Sequence, residues 1–327
     1  MSSILVTGGA GYIGSVTVER LVGAGHRVVV LDNLSKGHRA AMHEGVPLVV
    51  GDIGDRALVA RTLSEHDVEA VIHFAAKSLV GESMEKPGDY YENNVVSGIR
   101  LLEGMHDAGV DRIVFSSSAG VYGEPESVPI AETNRTAPVN VYGDTKLIFE
   151  RVLAWEAERT GLKHISLRYF NAAGASGRYG EDHRPETHLI PIALQVVAGR
   201  RPELIVFGDD YETPDGTCIR DYIDVRDLSD AHILALEALE KGRSGIYNLG
   251  NGEGWSVLNI IDSVERVTGR TVDRKMGARR AGDPARLVAS SSLAMRELGW
   301  RPEHPEIDDM IEAAWQWMLE HPGGYEE

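Results

Sequence analysis

Tyr142 and Lys146 stand four residues apart in "NVYGDTK", a stretch that reads as the start of a helix. Four helical residues rise about 6 Å and return to the same face, so the two side chains can act on one ligand. A phenol ordinarily titrates near 10, and making it a base at neutral pH requires a downward shift of roughly 3 units, about 4 kcal/mol. A lysine cation about 4 to 5 Å away, in a medium of effective dielectric near 20, supplies about that much. Such a pair can take the proton from a substrate hydroxyl. Upstream, "RIVFSSSAGVYG" brings Ser116, Ser117 and Ser118 to the end of a β-rich run, where hydroxyls can relay or share that proton. Ser118 is the serine nominated for this work. Ser116 and Ser117 read equally well as groups that satisfy the backbone at a strand end.

A second constellation lies at the start of the chain. "ILVTGGAGYIGS" places Gly8, Gly11 and Gly14 between a strand and a helix. Glycine suits this context because the backbone must turn tightly, approach a pyrophosphate and let the helix pack on the strand. The helix N-terminus then offers free N–H groups to the phosphates. The next strand, "RVVVLD", ends in Asp32, which can accept from both ribose hydroxyls of an adenosine and would repel a 2′-phosphate. Together these features predict NAD rather than NADP. No Lys-Ser/Thr pair follows the glycines, which excludes a P-loop. "VVGDI" supplies Asp52 and Ile53 for the adenine end. "HFAAKS" supplies Phe74, Ala75 and Ala76, where small residues let the cofactor lie close to a strand end. His73, inside that run, reads as a packed core histidine. The positive nicotinamide of bound NAD would add to the pull of Lys146 on Tyr142, and Lys146 can also hold the nicotinamide ribose.

The elements that must position these residues are visible as an alternation. "ILVTG", "RVVVLD", "PLVVGD", "AVIHFA", "RIVFSSS" and "HISLRYF" are β-rich runs, and segments such as 16–24 and 93–108 carry apolar residues at helical spacing. This predicts an α/β fold: a Rossmann-type doubly wound parallel sheet with ligands beyond the carboxyl ends of its strands. Past residue 172 the texture changes to polar loops, "GASGRYGEDHRPETH" and "GDDYETPDGT", between shorter apolar runs. The division expected is an NAD-binding domain over 1–172 and a smaller α/β substrate-binding domain over 173–327, with some strands interleaved. "VLNIIDSVERV" is expected to be a plain amphipathic core helix.

Composition narrows the class. Lys and Arg total 33 against 50 Asp and Glu, a formal charge of −17 over 327 residues. A chain this acidic gains nothing from counterion release on nucleic acid and is repelled by an anionic membrane surface. Cys218 is the single cysteine, which rules out an internal disulfide and a multi-cysteine metal site, and suits a reducing cytoplasm. No metal is expected. Met1 leads directly into the glycine loop, which predicts no cleavable leader, and no apolar run approaches the roughly 20 residues of a membrane span.

In this order the pieces resemble the extended short-chain dehydrogenase/reductase superfamily and, more closely, its UDP-glucose 4-epimerase (UDP-galactose 4-epimerase) family. The resemblance covers essentially the whole chain. It includes "LDNL" at 31–34, "VGES" at 80–83, "YYENNV" at 90–95, "FSSSAGVYG" at 115–123, "LRYFNAAGA" at 167–175, "RDYI" at 220–223, "YNLGNG" at 247–252 and "RRAGDPA" at 279–285. It implies that Tyr142 deprotonates the sugar 4-OH of UDP-galactose or UDP-glucose while hydride leaves C4 for tightly held NAD. The 4-ketose then swings about its diphosphate link and takes the hydride back on its other face. The resemblance also extends the cofactor set to Tyr12, Ile13, Asn33, Lys77, Asn94, Ser116 and Tyr169. On the substrate side it implies Asn171, His188, Leu189 and Phe207 around the nucleotide and sugar, Arg220 and Arg280 as a diphosphate clamp, and Asp283 on the uridine ribose. Two arginines forking onto phosphates in an acidic protein fit that task. It further implies a homodimer formed through the segments 93–108 and 146–159.

Three departures stand out. Gly120 occupies a position where many relatives have threonine. Thr187 and His188 precede "LIP" where one branch has an asparagine pair. Leu287 takes the hexose-pocket position that is a bulky tyrosine in some relatives and small in others, which leaves UDP-glucose and UDP-N-acetylglucosamine both open, as are pentose and uronate substrates. A 4,6-dehydratase would want an Asp-Glu pair beside the serine, and here Ser118, Ala119 and Gly120 supply no acid. A C6 oxidase would want an activated cysteine, and Cys218 has no matching base. A binding-only NAD sensor would not need Tyr142, Lys146 and Ser118 together.

Overall fold

The computed structural model describes residues 2–280 and 283–326. All six β-rich runs become strands: β1 (Ser3–Thr7), β2 (Arg27–Asp32), β3 (Leu48–Val50), β4 (Ala70–His73), β5 (Arg112–Ser116) and β6 (Lys163–Tyr169). With a seventh strand, Gly245–Leu249, they form one parallel sheet in the order Gly245–Leu249, β6, β5, β4, β1, β2, β3. The strands read as nearly continuous apolar runs because both faces of the sheet are covered. On one face Ile4, Val6 and Val30 join Val18 and Leu21 of helix α1 (Tyr12–Gly23). On the other, Leu5, Val29 and Leu31 meet Val59, Leu101, Phe149 and Leu153 from three helices. Strand order reverses at β1, between β2 and β4, and this opens the ligand crevice beyond their carboxyl ends.

The later half builds a second core. Asn171–Ala173 pairs with Tyr222–Asp224, Leu204–Phe207 with Arg274–Gly277, and Ile219–Arg220 lies between Trp255–Ser256 and Arg286–Leu287. The expected amphipathic helix is Val257–Thr268. Ser256 and Asn259 cap it reciprocally, Gly269 ends it at φ 67, and Ile260, Ile261 and Val264 are buried. The chain then crosses back: the helix Val225–Glu240 sends Leu228, Ala231 and Ala235 into the same cluster as Val6 and Val18, before Gly245–Leu249 joins the sheet edge. The residues after 172 therefore share elements with the large sheet.

One buried polar network locks the helix of Tyr142 to the sheet. This helix, Val141–Thr160, carries Glu150, which accepts from Arg168 of β6 at 2.9 and 2.5 Å and from Ser117 at 2.5 Å. Arg168 also donates to the Tyr122 hydroxyl, which in turn donates to Asn248 of the seventh strand. Both ionic partners are buried. Glu150→Ala leaves an unpaired guanidinium in the core and should cost about 3–5 kcal/mol. The check is the midpoint of urea unfolding, which should fall well below that of an exposed control such as Glu158→Ala.

Candidate active site

The site is assembled where β5 and the helix Val141–Thr160 meet. Asn140 caps the helix by accepting from the Gly143 amide at 2.8 Å. Gly143 lies so close to the turn Ala119–Val121 that a Cβ there would stand 2.4 Å from the Gly120 carbonyl oxygen. This approach brings Tyr142 to Ser118, whose hydroxyl bonds the phenol. One turn on, the buried Lys146 donates to the Ser116 carbonyl at 2.8 Å, with its ammonium 5.0 Å from the Phe115 ring centre and 5.8 Å from that of Tyr142. The π-helical segment Glu92–Val96 supplies Asn94, which accepts from the Lys77 amide and donates to the Lys77 carbonyl and to Thr145. Asn94 thus clips the extension of β4 to the helix Val141–Thr160.

The three serines separate cleanly. Ser116 shares a hydrogen bond with His232, and Ser117 is held by Glu150. Ser118 is the one beside the phenol. His73 is a core residue, as expected: its Nδ1 meets Thr7 at 2.8 Å, and burial, helped by Lys146, pushes its pKa down to about 3.

The expected phenol is one depressed by Lys146, with the nicotinamide of NAD adding to the pull; in the protein alone burial dominates. Burial raises the phenol, and the Ser118 hydrogen bond only partly offsets this. The ammonium itself is pushed down to about 7, chiefly by burial and against the pull of Glu150. Desolvation of both groups outweighs a single Coulombic contact, so a poised base requires further positive charge at the site. Tyr169, at the end of β6, is likewise raised by burial and bonds Ser116.

The glycine loop forms a cradle that suits a dinucleotide. Gly8 has φ 73, and a Cβ there would stand 2.7 Å from the Ala75 amide nitrogen. A Cβ on Gly14 would stand 2.2 Å from the Gly8 carbonyl oxygen. Gly11 leaves the N-terminus of α1 without a side-chain cap, so the Tyr12 and Ile13 end of the helix presents uncapped amides. The Tyr12 side chain is committed elsewhere, donating to the Gly174 carbonyl. Asp32 is fixed by the amides of Ala10 and Leu34, which work against the upward push of burial on its carboxyl. Asn33 donates to Asp52 across the β2 and β3 ends. Phe74, Ala75 and Ala76 line the mouth half-buried. The Ile53 side chain, expected at the adenine end, joins the core with Leu31 and Val59.

On the second half, Arg220 and Asp283 pair at 2.6 Å, and Arg280 stacks over the Phe207 ring at 4.0 Å. Asn171 is exposed at a strand start, and Tyr222 hydrogen-bonds to it. Leu287 packs beside Ala119, Val121 and Tyr122, next to the Ser118 turn. His188 caps the helix Leu189–Val197 with its Nδ1 turned to Glu181 and Glu186. The "DY" of "RDYI" earns its place through Asp221, which accepts from the amides of Asn251, Gly252 and Ala289 and is raised by burial to about 6.

A profile of the NAD dependent epimerase/dehydratase family matches residues 4–250. The chain belongs to this family. A UDP-glucose 4-epimerase of Halalkalibacterium halodurans is 53% identical over 99% of the chain and 97% of that protein. A UDP-glucose 4-epimerase from Brucella ovis, solved in complex with NAD, superimposes with a TM-score of 0.94 at 48% identity, covering 96% of this chain and 98% of that one. One from Bifidobacterium longum, solved with NAD+ and UDP, gives 0.95 at 39% identity over 99% and 100%. For a member of the NAD dependent epimerase/dehydratase family the cradle and Asp32 have an evident occupant, and the cofactor is NAD.

Residues that sequence reasoning passed over include Asn140, Thr145, Glu150, His232 and, beside the nominated His188, Glu181, His183 and Glu186. Only Asn140, a helix-capping type before "VYG", carried a local signal. Cys218 is buried, and burial pushes its thiol up, consistent with an inert side chain.

Lys146 generates a prediction with a definite sign. In the unfolded chain it keeps its proton to about 10.5, in the cofactor-free fold only to about 7. Between those values the unfolded state binds the extra proton, so this group adds stability as pH rises through the window and removes it as pH falls towards 7. Cofactor-free wild type should therefore gain on Lys146→Met with a slope approaching about 1.4 kcal/mol per pH unit. Parallel urea titrations across the window that keep a constant difference would contradict the buried ammonium.

Proposed function

We infer that the protein is an NAD-dependent UDP-glucose 4-epimerase that interconverts UDP-galactose and UDP-glucose at C4 through a 4-keto intermediate, the step that joins galactose to glucose metabolism. The observation that carries the reading is the convergence of Tyr142, Ser118 and Lys146 at the mouth of a dinucleotide cradle, in a chain nearly half identical or better to such epimerases along its whole length.

Bound NAD would supply the hydride acceptor and donor for C4 and further positive charge for the site. Tyr142 takes the 4-OH proton, and Ser118 holds the phenol and the sugar oxygen in line. Lys146, anchored on the Ser116 carbonyl, orients the nicotinamide ribose and adds to the field on Tyr142. Asp32 selects the adenosine ribose. Asn33 and Asp52 frame the adenine, and Phe74, Ala75 and Ala76 allow close approach. Arg220, paired with Asp283, and Arg280, stacked on Phe207, are placed to exchange those contacts for the diphosphate and uridine ribose. A fixed diphosphate with a loose hexose lets the ketose rotate between faces. His188, whose Nδ1 faces the acids, has only Nε2 left for the nucleotide. Leu287, packed on the Ser118 turn, bounds the hexose pocket near C2.

In this reading residues 1–172 bind NAD and 173–327 bind the UDP-sugar. A homodimer would join through the helices Ser97–Asp107 and Val141–Thr160, the second of which exposes 70% of Trp155. Among the described residues no helix is long and apolar enough to cross a membrane, and together with the lone free cysteine this supports a cytoplasmic enzyme.

The test is to incubate purified protein with UDP-galactose, without added cofactor, and separate the products by chromatography. UDP-glucose should appear without net NADH. Tyr142→Phe should retain NAD and UDP binding by calorimetry while turnover falls by about 10²–10⁴-fold. Wild-type protein, with NAD restored, that leaves UDP-galactose unchanged would overturn the galactose reading. A parallel incubation with UDP-N-acetylgalactosamine reads whether Leu287 leaves room for the acetamido group.

A further inference from the structure

The loop leading into the helix Leu189–Val197 carries Glu181, His183, Glu186 and His188, acid and imidazole in alternation. In the fold these side chains converge, and one donor atom from each lies within 4.8 Å of all the others. Both imidazoles turn the same nitrogen inward. His188 Nδ1 is 2.7 Å from Glu181 Oε1 and 2.9 Å from Glu186 Oε1, and His183 Nδ1 is 2.9 Å from Glu181 Oε1. The two carboxylates are nearly sealed, with side chains 9% and 4% exposed, and among the described residues their ionic partners are these two histidines.

We propose that Glu181, His183, Glu186 and His188 form a structural zinc site. Two adjacent buried carboxylates need positive charge at their shared focus. One divalent cation balances both at once, with neutral imidazoles as its remaining ligands. Two nitrogens and two oxygens, all from protein, form the closed four-ligand shell that zinc takes in structural sites, and this donor set is too nitrogen-rich for magnesium or calcium. Ligand bonds of about 2.0–2.2 Å set tetrahedral donors roughly 3.4 Å apart. The present separations straddle that value, so modest side-chain rotation suffices.

The site sits where loop order matters. The His183 ring packs edge-on against Tyr12, at 6.3 Å and 88°, and Tyr12 opens the helix whose N-terminus faces the dinucleotide cradle. Asp182, between two of the ligands, accepts from the Tyr325 amide and so joins the C-terminal segment to the same loop. A metal here would rivet the loop between the dinucleotide helix and the second core. It would also hold His188 in the tautomer with Nε2–H outward; that last consequence alone rests on the reading of His188 as a nucleotide contact.

The test uses the full-length enzyme and reads metal, not turnover. After chelator treatment and desalting, wild type is titrated with zinc and followed by calorimetry and mass-spectrometric metal analysis, and separately loaded with cobalt. The expected result is stoichiometric zinc retained through a second desalting, a thermal midpoint raised by zinc, and the strong visible absorption of tetrahedral Co²⁺. Glu181→Gln/His183→Gln should lose all three. Failure of wild type to retain zinc, or retention equal to that of the double variant, overturns the proposal. Should the double variant not fold, the wild-type spectrum decides: a weak octahedral cobalt spectrum overturns the site, and a tetrahedral one supports it. Loss of epimerase activity is not among the readouts, so a failed site and a failed galactose reading remain distinguishable.

Discussion

An ammonium buried at the end of a parallel sheet is the constraint around which this molecule is organised. Lys146 donates to the Ser116 carbonyl, lies over Phe115 and helps push the pKa of the core histidine His73 down. Desolvating a cation is expensive, and Glu150, one turn along the same helix, offsets only part of that cost. Glu150 cannot serve alone, since it is buried too, so it is forked by Arg168 and bonded by Ser117. The placement of Lys146 and Tyr142 and the stability of β5, β6 and the long helix are therefore parts of one network.

The same economy governs the backbone. Three glycine contacts decide how near the chain can come to itself: Gly8 against Ala75, Gly14 against Gly8, and Gly143 against Gly120. The first two shape the cradle, and the third sets Tyr142 beside Ser118. Gly120 thus has a backbone task, because its carbonyl lies against the start of the helix Val141–Thr160. Asn94 fixes the remaining side of the mouth from a π-helical segment, where an extra residue per turn aims the amide at Lys77 and Thr145.

The second half contributes by returning. Tyr222–Asp224 runs beside Asn171–Ala173, the next helix lies against α1, and Gly245–Leu249 completes the sheet. Arg220 and Leu287, far apart in sequence, are register partners in one small sheet, which puts a guanidinium and an apolar side chain on adjoining strands.

Much of this was legible in the residues themselves. The six strands, the Tyr142/Lys146 spacing, the glycine loop with Asp32, the core role of His73 and the amphipathic helix at Val257–Thr268 all follow from local chemistry and short-range periodicity. What tertiary structure alone decided depends on groups distant in sequence meeting in a medium poor in water. Ser117 and Ser118 are neighbours with the same side chain, yet one meets Glu150 and the other the phenol. Lys146 was legible as a partner for Tyr142, but not as an ammonium pushed down to about 7, because desolvation depends on what surrounds a group rather than on its spacing. Glu181, His183 and Glu186 read as loop polarity until the chain folds their donors onto one point with that of His188. Sequence spacing fixes which residues share a face; burial and long-range contact decide what charge they carry there.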